Sequence, residues 1–372
     1  MSTLKVTNIE HGSTTDGGIQ LDNAGHVTID GVQLPTAGAL SNRNLIINGA
    51  MNIAQRDTSS TGEGYETVDR YFIQRSGGTV TQTQTAITSG SPYDEGFRNV
   101  LRLTNTATST GADDHRNAFQ YIEAQNLAQS GWNYTSSSSY VTLSFWVRSS
   151  VAQEFFGYLR TFDGTEQGYS FSTGTLSADT WTKVTKTIPG NSNITINNDS
   201  GAGLQVNISP FWGTTYTDSG NTTESWAAFN SGSRTPDYTN TWANTTDATF
   251  DITGLQLEVG EKATPFEHRS FADELHRCYR YYQEHILFNN DDGFTADAHA
   301  SVSGQYHVNS LLLPVRMRAT PTTTNVLGDL TTNLQERSLL AKSDSCIEYT
   351  IRSNSTGRFY GGFVSFTASA EL

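Results

Sequence analysis

Apolar and polar residues alternate with the two-residue period of β-strands along most of this chain, beginning near its start. Leu4-Lys5-Val6-Thr7-Asn8-Ile9, Gly18-Ile19-Gln20-Leu21-Asp22 and His26-Val27-Thr28-Ile29-Asp30 predict short strands separated by turns such as Asn23-Ala24-Gly25. Leu4, Val6, Ile9, Ile19, Leu21, Val27 and Ile29 are too few apolar side chains for a core of their own, since segments below about 40 residues need outside support. Residues 1–40 therefore read as a segment completed by other copies of the chain around a shared axis, or by docking on a partner. Its end, 34–39, reads as a linker.

From 41 to 268 the pattern predicts one large β-domain. Expected strands lie near 44–48, 70–75, 100–104, 140–148, 154–160, 180–187, 204–209 and 248–257. The strongest is Tyr140-Val141-Thr142-Leu143-Ser144-Phe145-Trp146-Val147-Arg148, which puts Val141, Leu143, Phe145 and Val147 on one face and Trp146 on the other. Strands joined by the long polar connections 107–118, 188–203 and 213–247 suggest a two-sheet jelly roll or sandwich. At 269–285 the period changes to that of a helix. Ser270 can cap it with Asp273 in the first turn, and Phe271, Leu275, Cys278 and Tyr282 follow at helical spacing, predicting roughly 14 helical residues. Strands return in 286–372, over 310–318 with a proline, 346–352 and 358–365, as a smaller distal β-domain. The fold class is mostly β throughout: N-terminal segment 1–40, jelly roll 41–268, and helix plus distal β-domain 269–372.

Composition narrows the function. Hydrophobic residues are 35% and charged residues only 16%, but aromatics reach 11%, which argues against global disorder. The net charge of −14 comes without any basic block. Nucleic-acid binding, which needs phosphate neutralisation, is therefore not expected, nor is docking on an anionic membrane. No stretch approaches the apolar length of a membrane span. Cys278 and Cys346 are too few for a disulfide framework and read as reduced core cysteines.

Several segments carry a resemblance. Asn44-Leu45-Ile46-Ile47-Asn48-Gly49-Ala50-Met51-Asn52 looks like the opening of a jelly-roll module found in many bacteriophage tail fibres. Thr67-Val68-Asp69-Arg70-Tyr71 is similar to the element that follows it. Gln256-Leu257-Glu258-Val259-Gly260 through Thr264-Pro265-Phe266-Glu267-His268-Arg269-Ser270 resembles the module's close. Arg277-Cys278-Tyr279-Arg280-Tyr281-Tyr282 and Pro314-Val315-Arg316-Met317-Arg318 are similar to what comes after. The resemblance spans about 45–320, and the N-terminal strands also look like fibre starts of short-tailed cyanophages. It implies a virion protein, made in the host cytoplasm and carried on the tail. Such a protein is a homotrimer that attaches through its N-terminus to tail adaptor or nozzle proteins and meets a host-surface glycan receptor distally.

Glycan recognition needs exposed ring faces beside amides and carboxylates. The stretch 211–242 offers Trp212, Tyr216, Trp226, Tyr238 and Trp242 among Asp and Asn residues, and these are the first contact candidates; packing of the same rings onto the sandwich is the competing reading. Trp132 with Tyr134 is a weaker second site. Asp291 and Asp292, in a turn-like acidic stretch followed by His299 and His307, could touch a receptor from the distal domain. His115 with Asp113 and Asp114 is a thin metal candidate, and no calcium cage can be traced. There is no phosphate loop, G-x-S-x-G or H-E-x-x-H, so neither cofactor nor enzymatic activity is expected. Two other readings share these features. A glycan-depolymerising tailspike would use paired carboxylates such as Asp163 with Glu166 or Asp247 with Asp251, pairs that arise freely in an acidic chain. A solitary carbohydrate-binding adhesin module would need a leader, and Met1-Ser2-Thr3-Leu4-Lys5 opens without an apolar region.

Overall fold

The structure, a computed structural model, describes residues 8–9, 18–21, 27–29, 32–33, 42–286, 296–327, 331–361 and 363–372. Leu4, Val6, Asp291 and Asp292 lie outside the described residues. The chain divides into two compact units. The first comprises Met1–Asn52, Thr58–Thr67 and Tyr71–Arg269; the second comprises Ile53–Asp57, Val68–Arg70 and Ser270–Leu372. Among the described residues no helix is long and apolar enough to cross a membrane.

The first unit opens with β1 (Asn8–Ile9), β2 (Ile19–Leu21), β3 (Val27–Ile29) and β4 (Val32–Gln33), an antiparallel meander in chain order. Strands this short bury little. Ile9 is 59% exposed, and Ile19, Leu21 and Ile29 are exposed with it. Val27 is half-buried.

A jelly-roll-like sandwich of two antiparallel sheets follows. Its strands are β5 (Ser59–Ser60), β6 (Phe72–Ser76), β7 (Thr79–Ala86), β8 (Asn99–Ala107), β9 (His115–Glu123), β10 (Tyr140–Ser149), β11 (Gln153–Thr161), β12 (Gln167–Leu176), β13 (Thr182–Pro189), β14 (Ala202–Trp212), β15 (Trp226–Ala228) and β16 (Ala248–Val259). One sheet has the order β13-β10-β16-β8-β7-β5 and the other β15-β12-β11-β14-β9-β6. Alternation explains the layer between them. Val141, Leu143, Phe145 and Val147 of β10 are each fully buried. Phe145 meets Phe171 of β12 across the layer, and Phe155 of β11 meets Phe250 of β16 at 4.8 Å. Each such ring contributes about 1.5–3 kcal/mol on burial. A side chain at position 157 of β11 would collide with the Phe171 ring and the Asn207 carbonyl, so Gly157 makes room for the core. Trp146 points the other way. It is 9% exposed, donates from Nε1 to Glu95 at 3.0 Å, and packs with Ile87, Phe97 and Val100. Short helices α1 (Ser91–Asp94), α2 (Ala124–Ala128) and α3 (Thr241–Asn244) sit in connections.

Residues 44–48 are not a strand. They are latched to β16 by side chains. Asn44 Nδ2 donates to the Leu255 carbonyl, and Asn44 Oδ1 accepts the Ile46 and Leu257 amides, all at 3.0 Å. Glu267 accepts the Asn44 amide at 2.9 Å, while Arg269 donates to the Asn44 and Ile46 carbonyls and pairs Glu267 at 3.0 Å. Gln256 and Glu258 hold the returning 264–267 segment through the Thr264 and Glu267 amides. The residues that carry the resemblance at the two ends of this unit thus form one polar clasp. Strands β5, β7, β9, β12 and β15 go beyond those the alternation predicts; the expected connection 107–118 already contains the start of β9 at His115, and 213–247 contains β15.

The second unit contains α4 (Phe271–Tyr279), β17 (Tyr282–Ile286), β18 (Ala296–Ala300), β19 (Tyr306–Leu312), β20 (Thr322–Leu327), β21 (Leu334–Ser343), β22 (Cys346–Ser353), β23 (Gly357–Gly361) and β24 (Phe363–Ser369). Its sheets are β17-β24-β20, β18-β23 and β19-β22-β21. Ser270 caps α4 by accepting the Asp273 amide, as the spacing predicts. The helix has 9 residues, shorter than expected, because Tyr282 leaves it to pair with Ser369 in β17–β24. The expected strand at 310–318 stops at Leu312, before Pro314. Arg70 is 1% exposed, lies over the Tyr281 ring at 3.4 Å and pairs with Glu371. Arg56 lies over Tyr282 at 3.6 Å and bonds Glu371 at 3.2 Å. Burial pushes the Cys278 thiol well up, keeping it protonated.

Candidate functional site

The outer face of the β15-β12-β11-β14-β9-β6 sheet is where rings and polar groups gather. Register places Phe72 opposite Phe119, and Phe119 opposite Asn207. Phe72 and Phe119 stack at 5.0 Å and 14°, with Tyr65 edge-on to Phe72 at 5.2 Å. Phe119 meets Tyr121 at 5.1 Å, and Tyr121 meets Phe162 at 5.4 Å. Arg160 lies over Phe162 at 4.7 Å and over Phe229 at 4.1 Å, held there by Glu166 at 2.7 Å. The result is a track of rings running across a sheet about 24 Å wide at about 4.8 Å per strand spacing. Tyr65, Phe72, Tyr121 and Phe162 are half-buried, so each keeps accessible ring surface. Burial holds the Tyr121 hydroxyl protonated beyond its usual range, against the pull of Arg160.

Amides line the same face. Trp212 Nε1 donates to Ser209 Oγ at 2.8 Å, Ser209 donates to Asn207, and Asn207 Nδ2 donates to Asn117 Oδ1 at 2.9 Å. Asn117 Nδ2 and Gln205 Oε1 are left without partners among the described residues. Both residues are buried beneath the ring track, where unpaired amide atoms are rare.

At the end of the track a cavity of about 340 Å³ opens between Tyr158 of β11, Ser170 of β12 and the loop residues Asn221, Phe229, Ser233 and Arg234. Arg234 lies over Trp212 at 4.4 Å and Tyr216 at 4.8 Å. Asn221 ties the wall together: Ser170 donates to its Oδ1 at 2.8 Å, and its Nδ2 donates to the Ser233 carbonyl at 2.7 Å. Burial pushes the Tyr158 hydroxyl up to about 12, so it carries its proton at neutral pH.

The ring-rich loop read from the sequence is present here, and its rings divide by burial. Trp212 is 1% exposed and Trp242 is fully buried; neither offers a face to a ligand. Tyr238 is half-buried and donates its hydroxyl to the Phe156 and Ser209 carbonyls at 3.1 and 3.2 Å, pinning the loop to the sheet. Trp226 is half-buried against Tyr169, and its Nε1 donates to the Pro189 carbonyl at 2.7 Å. Tyr216, half-buried edge-on to Trp212 and His115, flanks Arg234. Trp132 is 3% exposed with its Nε1 on the Ser139 carbonyl. His115 is packed against Trp212 and lowered by burial; Asp113 and Asp114 accept bonds from Thr215 and the Gly111 amide. Among the described residues no group of three or more His, Cys, Asp or Glu is placed to hold a metal ion. The carboxylates considered as acid–base pairs are engaged: Asp163 with Asn197, Glu166 with Arg160, and Asp251 with Arg102 and Arg148. In the distal unit His307 accepts from Asn309 at 2.8 Å, and His299 sits on β18 opposite Arg358.

The track itself was not read from the sequence. Its signal was the alternation Asn117-Ala118-Phe119-Gln120-Tyr121-Ile122, which sets Asn117, Phe119 and Tyr121 on one face.

No protein-family model and no curated protein sequence matches the chain. Solved structures with distant similarity include the following three. The enzymatically active domain of tailspike protein 4 from bacteriophage CBA120 is 12% identical over 58% of this chain and 21% of that one, with a TM-score of 0.31. The N-terminal cellulose-binding domain of Cellulomonas fimi β-1,4-glucanase C is 10% identical over 57% of this chain and 99% of its own, with a TM-score of 0.28. A xylan-binding domain from Paenibacillus barcinonensis is 11% identical over 60% and 99%, with a TM-score of 0.29. With scores this low, the functional reading rests on this chain's own residues.

Proposed function

We propose that this chain is a bacteriophage tail-fibre protein that binds a host-surface glycan along the outer face of its jelly roll. The observation that carries the glycan part is the track of half-buried rings across the outer face of the sheet. Sugar C–H faces pack on such rings. The fibre part rests on the sequence resemblance of the clasp and helix segments. A homotrimer assembled through residues 1–40, attached to tail adaptor or nozzle proteins, is supported by the exposed Ile9, Ile19, Leu21 and Ile29, which need neighbours. Three weak sites on one fibre, and several fibres on one virion, then act by avidity. The role is adhesive rather than enzymatic.

The test is adsorption of labelled protein to host cells and binding to their extracted surface glycan. Replacing Tyr121 and Phe162 by Ala lowers glycan affinity by about tenfold or more, the effect of removing an anchoring ring. Unchanged binding would sink the track. Release of reducing ends from the same glycan would move the assignment to a depolymerising tailspike.

A further inference from the structure

We propose that the cavity between Tyr158, Ser170 and Arg234 is an oxyanion subsite for the carboxylate of an acidic sugar, with Arg234 as its counter-ion. This deepens the glycan reading above by naming the class of sugar.

Arg234 is the starting point. Its guanidinium carbon lies 4.4 Å from the Trp212 ring centre and 4.8 Å from that of Tyr216, so two rings hold it in place. Its Nε is buried without a partner, and among the described residues its side chain makes no hydrogen bond and no ion pair. A partly buried cation that meets rings but no carboxylate or hydrogen-bond acceptor is costly, and it stands out in a chain of net charge −14, where carboxylates are plentiful. Nearby Arg160 shows the contrast: it lies over Phe229, a ring of the cavity wall, but is neutralised by Glu166. The cavity wall holds no Asp or Glu to play that part for Arg234.

The rest of the wall suits one carboxylate on one sugar. Tyr158 is 4% exposed, lines the cavity, and its hydroxyl bonds no described protein group. That leaves an O–H donor beside the guanidinium. Asn221 holds Ser170 and Ser233 in place, so the wall is formed before a ligand arrives. A single cation matches the single charge of a carboxylate; a phosphate dianion calls for more. A volume of about 340 Å³ takes one sugar unit rather than a chain, at the small end of ligand cavities of roughly 300–1,000 Å³. Arg160, over both Phe162 of the track and Phe229 of the cavity, makes the two continuous, so a glycan lying on the track presents an acidic unit here.

The experiment is calorimetric titration of the full-length protein. The probes are oligosaccharides carrying galacturonate, glucuronate or sialic acid, each against its own methyl ester, with a sugar phosphate alongside. At least one acid binds about tenfold or more tighter than its ester, the scale of a charge-assisted hydrogen bond. Arg234→Gln brings the two affinities together, and Arg234→Lys restores part of the difference, keeping the charge without the planar fork. Tyr158→Phe removes only a hydroxyl, so it tests the wall even where Arg234→Gln disturbs folding; it narrows the difference severalfold. No acid preferred over its ester anywhere in the set, or a preference that survives both Arg234→Gln and Tyr158→Phe, overturns the subsite. A stronger response to the sugar phosphate overturns the carboxylate. Esters that bind as well as acids, with affinity lost in the Tyr121 and Phe162 variants, would leave the glycan reading standing without the subsite. No binding of any probe, with cell adsorption unchanged in those variants, defeats both.

Discussion

Asn44 accepts two backbone amides and donates to one carbonyl from a single carboxamide, joining the entry of the sandwich to its last strand. Asn44→Ala leaves those two N–H groups unpaired in a buried place and costs about 2–4 kcal/mol, read as a lower denaturant midpoint. Glu267 in the same clasp gives a pH signature. Burial alone would push its carboxyl up, but the Asn44 and Arg43 amides and the Arg269 guanidinium outweigh that and hold it below its usual value. A carboxylate depressed in the folded state contributes stability above its unfolded value, about pH 4.3, and loses it as pH falls through the lower folded value. Glu267→Gln flattens that acid limb in melts recorded from pH 6 to 3. These residues were legible in the sequence as a recurring signature; their role was not, because a clasp is a relation between positions more than two hundred residues apart. Arg234 was illegible for the same reason. Nothing in its neighbours along the chain announces the rings that orient it or the missing carboxylate.

Among elements, β10 was read almost to its ends, because Val141, Leu143, Phe145 and Val147 alternate without interruption. Strand β9 was lost to a polar-looking run whose ring residues fall every second position. The helix was read too long because Tyr282 continues the spacing of Phe271, Leu275 and Cys278 although its backbone belongs to a sheet. The loop after β14 could be recognised as ring-rich, but burial of Trp212 and Trp242 against exposure of part of Tyr216 is decided by the sheet beneath. Strand β11 carries both faces of the problem: Gly157 opens the core for Phe171, while Tyr158 beside it faces the cavity. Gly157→Ala forces the ring aside and costs about 1–3 kcal/mol, the range for overpacking, seen as a lower melting temperature.

For the whole molecule, the mostly β class and the jelly-roll character followed from alternation, turn spacing and the scarcity of helical periods. The short N-terminal strands were legible from alternation, and Ile9, Ile19, Leu21 and Ile29 are exposed on them. Light scattering of the full-length protein at micromolar concentration is expected to give three times the 40.6 kDa of one chain; a value of 40.6 kDa itself would remove the shared N-terminal core.

The second unit is not a continuous piece of sequence. It borrows Ile53–Asp57 and Val68–Arg70 from the early part of the chain, and with them Arg56 and Arg70, the two cations on Glu371. During synthesis these borrowed residues leave the ribosome some two hundred positions before the segment they serve, so the distal unit cannot close until Glu371 has emerged. In genetic exchange the same arrangement is a constraint. A recombination joint placed at the apparent boundary near residue 270 would import a distal unit while leaving its two arginines to be supplied by the recipient, so only chains that share the early segment can trade their ends freely.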